Sequence, residues 1–494
     1  MLSTPSQAHR LLWRLLILAA AISGATLLAV ALWIIPSAAI DIGGLDMNVV
    51  FSLQRMLLGF PLYEAPDAPP FTVTQYSPLF YFVVYPVLKL SGIAASDAIA
   101  ITTIARGVAV LIAFLIAVLC YRFLRDRVDA SAPLAFVATV AVMLATANWY
   151  FSARPDGLAT LFTLLSFYII TGERSDTRTL AAVFLCCGAA FLSKQTGVFS
   201  FLVIFAWLIA TRQTRLLVRA GVASLVVGLI TMAILLSLGP HVKANLVDGV
   251  NNGITVRASL LLAYRPFFYW FAPVIAAALA ASLVSFRPGA RRIETFLPVA
   301  VILSLVTSIL FALKRGAAEN YFNEFVILAT FAIVLAYGGS GTSAHSDSWS
   351  RDTRVSLAAG IYLLMFLTIR TGYEVYVTYL YHRVDQSTRL WSQVEPMNFV
   401  RSSIDSGRTA IGFGVGLSNM LPERMQVPEP EIAMHSNWRG IISYDRFRED
   451  VASGKLQFVI AKNDAALEPF LNAKFDDFVP VRRFNHYTVY ESPR

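Results

Sequence analysis

The chain has 494 residues, 56% of them hydrophobic and only 14% charged, with a formal net charge of +9. A soluble domain carries about 25% charged residues, so this composition excludes an ordinary water-soluble enzyme and points to a polytopic membrane protein. The positive balance is no footprint of nucleic-acid binding, because the basic residues sit in short loops between apolar runs, where they set membrane orientation.

A spanning helix needs about 20 mainly apolar residues. In chain order the segments that meet this reading are 11–35, 97–121, 132–151, 157–171, 179–193, 196–211, 216–238, 266–286, 295–313, 321–338 and 354–372, about eleven in all. The first has a basic flank and no small-residue cleavage site, so it reads as an uncleaved signal anchor. Arginine clusters at 10 and 14, 122–127, 174 and 178, 212–219, 287–292, and 351 and 354 all fall on one side if the N-terminus is cytoplasmic. The segment 76–90 is apolar but short, holds two prolines and ends near a lysine. It reads as an interfacial helix rather than a span. Counting it as a span would break the arginine pattern.

With that orientation the outer loops collect the polar residues. The first holds Asp41, Asp46, Arg55, Glu64, Asp67, Gln75 and Tyr76. Asp46 opens an amphipathic stretch, Met47 to Leu58, and suits an N-cap as well as a functional carboxylate. The next outer loop carries Arg154 and Asp156, then come Lys194 and Gln195, the long loop 239–266, and a last loop with Lys314, Arg315, Asn320 and Tyr321. Each has an ordinary structural reading. Arg154 and Asp156 can simply pair, Lys194 can snorkel, and Lys314 with Arg315 can be a solvated pair. His241 stands alone in its loop, and no histidine–carboxylate spacing suits a metal, so no metal or other cofactor is indicated.

Together, carboxylates at one outer loop and cations at others suit transfer of a group away from a phosphate. A carboxylate takes the proton of an acceptor hydroxyl, and cations hold the phosphate and stabilise the charge that grows on it. No ATP or nucleotide sugar is expected on this face. The three cysteines, Cys120, Cys186 and Cys187, lie in apolar segments and leave the hydrophilic C-terminal region without a disulfide framework.

Several short motifs carry a resemblance. LDMN at 45–48, PLY at 61–63 and QYSPLFYF at 75–82 follow the first span; Arg154-Pro155-Asp156, Lys194-Gln195-Thr196 and Asn320-Tyr321-Phe322 follow in order at helix ends. The chain thereby resembles, along most of its length, the type C membrane glycosyltransferases that use polyprenyl-phosphate sugars, such as protein O-mannosyltransferases and the lipid A aminoarabinose and galacturonate transferases. Those proteins carry an Asp-Glu pair where this chain has Asp46 and Met47. The resemblance implies an all-α membrane bundle and inverting transfer of one sugar to a glycolipid, glycan or protein acceptor at the outer face of the bacterial inner membrane. It implies Asp46 as general base, Asp156 as the residue that orients a sugar, and Lys194, Lys314 and Arg315 on the phosphate side. Arg55, Gln75, Tyr76, Arg154, Gln195, Asn320 and Tyr321 complete the expected substrate-binding set. A transporter or flippase of lipid-linked sugars is the competing reading. It would place polar residues near the bilayer midplane and show paired broken helices.

From 373 to 494 the charge rises and the long apolar runs end. RTAIGFGVG and LQFVIAK read as strands, SYDRFREDVASGK as a helix, and FVPVRRF with YTVYESP as a closing hairpin. A membrane domain over 1–372 and a small α/β extracytoplasmic domain over 373–494 are therefore expected. GFGVG lacks the GxGxxG spacing, which argues against nucleotide binding there.

Overall fold

The structure, a computed structural model, describes residues 5–36, 45–251, 253–285, 291–338, 363, 365–373, 375, 393–413, 416–463 and 467–493. About half of the expected span 354–372 falls outside them, and Asp41 lies outside them altogether.

Among the described residues up to 338 there are thirteen α-helices. They are α1 (Pro5–Ile34), α2 (Leu45–Leu57), α3 (Leu79–Leu90), α4 (Ala98–Asp126), α5 (Ala132–Tyr150), α6 (Asp156–Ile170), α7 (Thr177–Ser193), α8 (Phe199–Ala210), α9 (Thr214–Ser237), the single turn α10 (Val256–Ser259), α11 (Arg265–Ser285), α12 (Arg292–Ala312) and α13 (Asn323–Gly338). Among the described residues five helical stretches are long and apolar enough to cross a membrane: Arg10–Ile34, Ala98–Asp126, Thr214–Ser237, Arg292–Ala312 and Glu319–Ala336. Shorter apolar helices accompany them, including Asp156–Ile170 and Thr177–Ser193. The protein is a multi-pass membrane protein. Its lipid-facing surface is plainest on α9, where Val218, Val222, Leu225, Leu229 and Leu236 are exposed at helical spacing.

Local chemistry sets the helix starts. Asp97 caps α4 by accepting from the Ala100 amide at 2.9 Å, and Asp176 caps α7 by accepting from Thr179 at 2.7 Å. Pro155 precedes α6 and places Asp156 in its first turn, where the helix dipole favours a negative charge. The expected interfacial segment forms α3, only 12 residues and about 18 Å long. It buries Phe80, Tyr81, Val84 and Leu88 and leaves Phe82, Val83, Val87 and Leu90 exposed.

A five-stranded sheet follows: β1 (Thr409–Gly412), β2 (Met425–Gln426), β3 (Leu456–Lys462), β4 (Val479–Arg483) and β5 (Tyr487–Glu491), in the order β2-β1-β3-β5-β4. β1 pairs in parallel with β2 and β3, while β5 pairs antiparallel with β3 and β4. The hairpin, the strand 456–462 and the helix Asp445–Ala452 match the sequence pattern; the two-residue β2 and the helices Val394–Ser403 and Pro430–Trp438 carry no such signal.

The sheet region is not hung on a loose tether. Phe71 and Val73, from the loop after α2, are buried in one core with Ile411, Tyr444, Phe447 and Val459. Asn419 donates to the Met47 carbonyl at 2.9 Å and to Gln54 Oε1 at 3.0 Å, while Gln54 Nε2 donates to the Asn419 carbonyl at 2.6 Å. The Val427 amide donates to Pro70 O at 2.7 Å. The C-terminal region thus grips the helix that carries Asp46.

Candidate active site

Asp156 sits at the head of α6 and is 5% exposed. Its Oδ1 accepts from Lys194 Nζ and from Asn320 Nδ2, both at 2.7 Å. These three residues lie at the ends of different helices, so only the packing of α6, α7 and α13 brings them together. Lys194 follows α7 in extended conformation, and Gln195–Val198 then forms a 3-10 turn. Gly197 closes that turn against α7. A Cβ there would lie 2.3 Å from the Ala190 carbonyl carbon, so no other residue fits without moving backbone. On the far side Phe322 stacks on Phe267 with ring centroids 3.8 Å apart, which fixes the neighbouring Tyr321 and Asn320. Lys194 Nζ lies 4.7 Å from the Tyr321 ring centroid.

Below this group lies a small polar cavity, lined by Asp156, Lys194, Asn320 and Tyr321 together with residues of α6, α12 and α13. Thr160, one turn after Asp156, donates to Glu324 Oε1 at 2.7 Å. The Thr160–Glu324 pair also faces the cavity.

Four further expected residues stand beside it. Gln195 donates to the Gln75 carbonyl at 2.7 Å, and Gln75 donates to Glu429 Oε2 at 2.7 Å. Tyr76 lies in the field of Arg154, Asp156, Lys194 and Glu429, with burial keeping its phenol above the usual range. Arg154 is buried, its guanidinium 5.1 Å from the Trp149 ring centroid.

The other expected residues are not among those lining the cavity. Asp46 is fully buried and paired with Arg106 of α4 at 2.6 Å. Arg55 is committed to Glu64 through two bonds of 2.8 and 2.6 Å and to the Pro422 carbonyl at 3.3 Å. Lys314 is half-buried; Arg315 is exposed, with Nη1 3.4 Å from His435 Nδ1 of the C-terminal region. The two centres are nevertheless connected. From α2, Asn48 donates to Val73 O at 3.0 Å and Ser52 lies 3.1 Å from Thr74 Oγ1, so the extended segment 72–75 runs from the Asp46 helix to Gln195. Asn245, from the long connection between α9 and α11, holds the same segment by accepting from the Thr74 amide at 2.7 Å.

No protein-family profile and no curated protein sequence matches the chain. Solved structures do. ArnT from Cupriavidus metallidurans bound to undecaprenyl phosphate aligns with a TM-score of 0.64 at 13% identity, over 96% of this chain and 99% of that one. The Archaeoglobus fulgidus oligosaccharyltransferase in the apo form gives 0.57 at 10% identity, over 89% and 69%. The fold is GT-C. The arabinofuranosyltransferase AftD from Mycobacteria aligns at 0.50 and 14% identity over 97% of this chain and 40% of its own length.

Within this GT-C frame several site residues escaped the sequence reading. Arg106 lies inside an apolar run, and a charge within a span is itself a signal of function or pairing. Thr160 is four residues after Asp156, hence on the same helix face. Glu324 sits in the first turn of α13. Glu429 carries no sequence signal at all, because it is 354 positions from its partner Gln75. Among the described residues no group of three or more histidine, cysteine, aspartate or glutamate side chains is placed to hold a metal ion.

Proposed function

We propose that the protein is a glycosyltransferase that moves one sugar, with inversion, from a polyprenyl-phosphate carrier to an acceptor hydroxyl on a glycolipid such as lipid A, a glycan or a protein. The observation that carries this reading is the buried Asp156–Lys194–Asn320 group at a polar cavity. It sits on a fold shared with a structure that holds undecaprenyl phosphate. About eleven spans, a membrane domain over 1–372 and an extracytoplasmic region over 373–494 at the bacterial inner membrane complete the proposal, supported by the one-sided arginine clusters.

In the reaction the acceptor oxygen attacks the anomeric carbon on the face opposite the phosphate. The bond from that carbon to the phosphate oxygen breaks, and its electron pair leaves with the polyprenyl phosphate. Asp46 takes the acceptor proton, a role that requires the Asp46–Arg106 pair to open towards the acceptor. Asp156, held on one oxygen by two donors, orients the sugar. Lys194 acts through that carboxylate, since its charge is already matched. Lys314 and Arg315, with the exposed Arg257 of α10 and Arg265 at the start of α11, are the cations available to the leaving phosphate.

The test is transfer by purified protein in lipid nanodiscs, given labelled polyprenyl-phosphate sugars and an envelope lipid extract. Asp46→Asn is expected to lower kcat by about 10²–10⁴-fold with little change in KM. Unchanged turnover in Asp46→Asn removes the assigned base. Absence of any sugar release by the parent protein removes the activity.

A further inference from the structure

Gln75 is held by two of its own groups. Its side-chain Nε2 donates to Glu429 Oε2, and its main-chain carbonyl accepts from Gln195 Nε2, each at 2.7 Å. Gln195 directly follows Lys194, whose Nζ donates to Asp156 Oδ1 at 2.7 Å. A short line of contacts therefore leads from the C-terminal region to the Asp156 group. The Glu429 carboxyl also meets the Asn48 side chain, two positions after Asp46 on α2. One side chain thus touches both halves of the site. Its own backbone is tied down: Glu429 directly precedes the helix Pro430–Trp438, and the amide of nearby Val427 donates to Pro70 O at 2.7 Å. Phe71 and Val73, on the way to Gln75, are buried in the core of the sheet region.

We propose that Glu429 is a positioning residue for the transfer reaction: it sets the Asp46 helix and the Gln195–Lys194 turn in register, which makes the C-terminal region an integral part of the active site. The inference rests on the glycosyl-transfer reading above and adds to it a residue that acts through others. The carboxyl is suited to the task in its neutral form. Glu429 Oε1 is shut off from solvent with no hydrogen-bond partner among the described residues, and so is Asn48 Oδ1. A buried acceptor without a donor is costly. A proton on Oε1 removes the orphan and the charge together, while Oε2 goes on accepting from Gln75. Burial pushes this carboxyl up to about 8, so the neutral form prevails at neutral pH. Once ionised, the group has the Arg154 guanidinium in its favour and Glu431 against it, beside the Tyr76 and Tyr81 phenols. A buried charge seeks water, so ionisation loosens the hold on Gln75.

The test uses the full-length protein in nanodiscs, with labelled polyprenyl-phosphate sugars as donors and an envelope lipid extract as acceptor. Turnover is followed between about pH 6 and 9.5. Glu429→Ala and Gln75→Ala are each expected to lower kcat by about tenfold or more with KM within about twofold, and the double variant to be no worse than either alone. Glu429→Gln, which keeps the acceptor oxygen and cannot ionise, is expected to retain at least about half of the parental kcat at neutral pH. The parent is expected to lose turnover as pH rises through about 8, and Glu429→Gln to move that fall upward by about one pH unit or more. Losses that multiply in the double variant, a Glu429→Gln as slow as Glu429→Ala, or alkaline limbs that coincide overturn the proposal. So does a fall in kcat that merely tracks the folded fraction, read from unfolding of the same samples. Absence of transfer by the parent overturns the glycosyl-transfer reading and the positioning role with it. Unfolding midpoints of the same four proteins then report separately whether Gln75 and Glu429 are coupled.

Discussion

Asp156 and Lys194 form a buried ion pair, with side chains 5% and 10% exposed. Such a pair is weak evidence for stability, since each charge has lost its water; its removal from one side only is what costs. Lys194→Met is therefore expected to destabilise the protein by about 3–5 kcal/mol, because it strands a buried carboxylate. The double variant Asp156→Asn with Lys194→Met is expected to regain most of that stability and none of the transfer activity, as read by unfolding midpoints and turnover in the same preparation. Recovery of both would reduce the pair to a packing device. At this scale the sequence showed the residue types well. Asp156, Lys194, Asn320 and Tyr321 all meet at one cavity. Arg55 was expected in the substrate-binding set, yet it is strapped to Glu64 and to the Pro422 carbonyl, because a charge can find a partner hundreds of positions away.

At the scale of elements the decisive piece is the turn between α7 and α8. Apolar runs at 179–193 and 196–211 mark two helices, but not that the chain between them folds back as a single 3-10 turn on α7. Gly197 permits this contact. Gly197→Ala is expected to push the turn off Ala190, displace Lys194 from Asp156 and cost about 1–3 kcal/mol, with transfer falling in step. Wild-type stability and activity in that variant would mean that the turn is not what positions Lys194. Element α2 tells a similar story. Its amphipathic pattern and its opening aspartate were legible, whereas its burial under the C-terminal region was not. Met47, Val49, Val50 and Leu53 are all buried, and a surface helix and a covered one share the same period.

For the whole molecule, Glu429 joins the sheet-bearing region to the membrane site. Burial pushes its carboxyl up to about 8; Glu431 adds to the rise, while the Gln75 and Asn48 side chains and the Arg154 guanidinium oppose it. A folded-state value above the unfolded one means the native protein binds the proton more tightly. Its stabilising share is then complete below the ordinary glutamate value near 4.5 and is lost as pH rises towards 8. Unfolding midpoints of the wild type are expected to fall across that window through this group. Glu429→Gln, which mimics the protonated form, is expected to remove part of the slope and leave the protein more stable by roughly 2 °C or more at pH 8. Identical pH profiles for the two proteins would show that Glu429 does not bind the proton differently in the folded chain.

By itself the sequence determined the membrane class, the strands at 409–412 and 456–462, the closing hairpin and most of the polar residues at the site. These follow from local quantities: apolar run length, alternation and the side on which arginines gather. Only the tertiary structure decided which of those residues meet. Asp46 faces Arg106, Asp156 faces Lys194 and Asn320, and Glu429 reaches Gln75 across 354 positions. The reason is physical. A buried charge or amide must find its partner wherever packing brings one, and that partner leaves no trace in the local pattern of hydrophobicity.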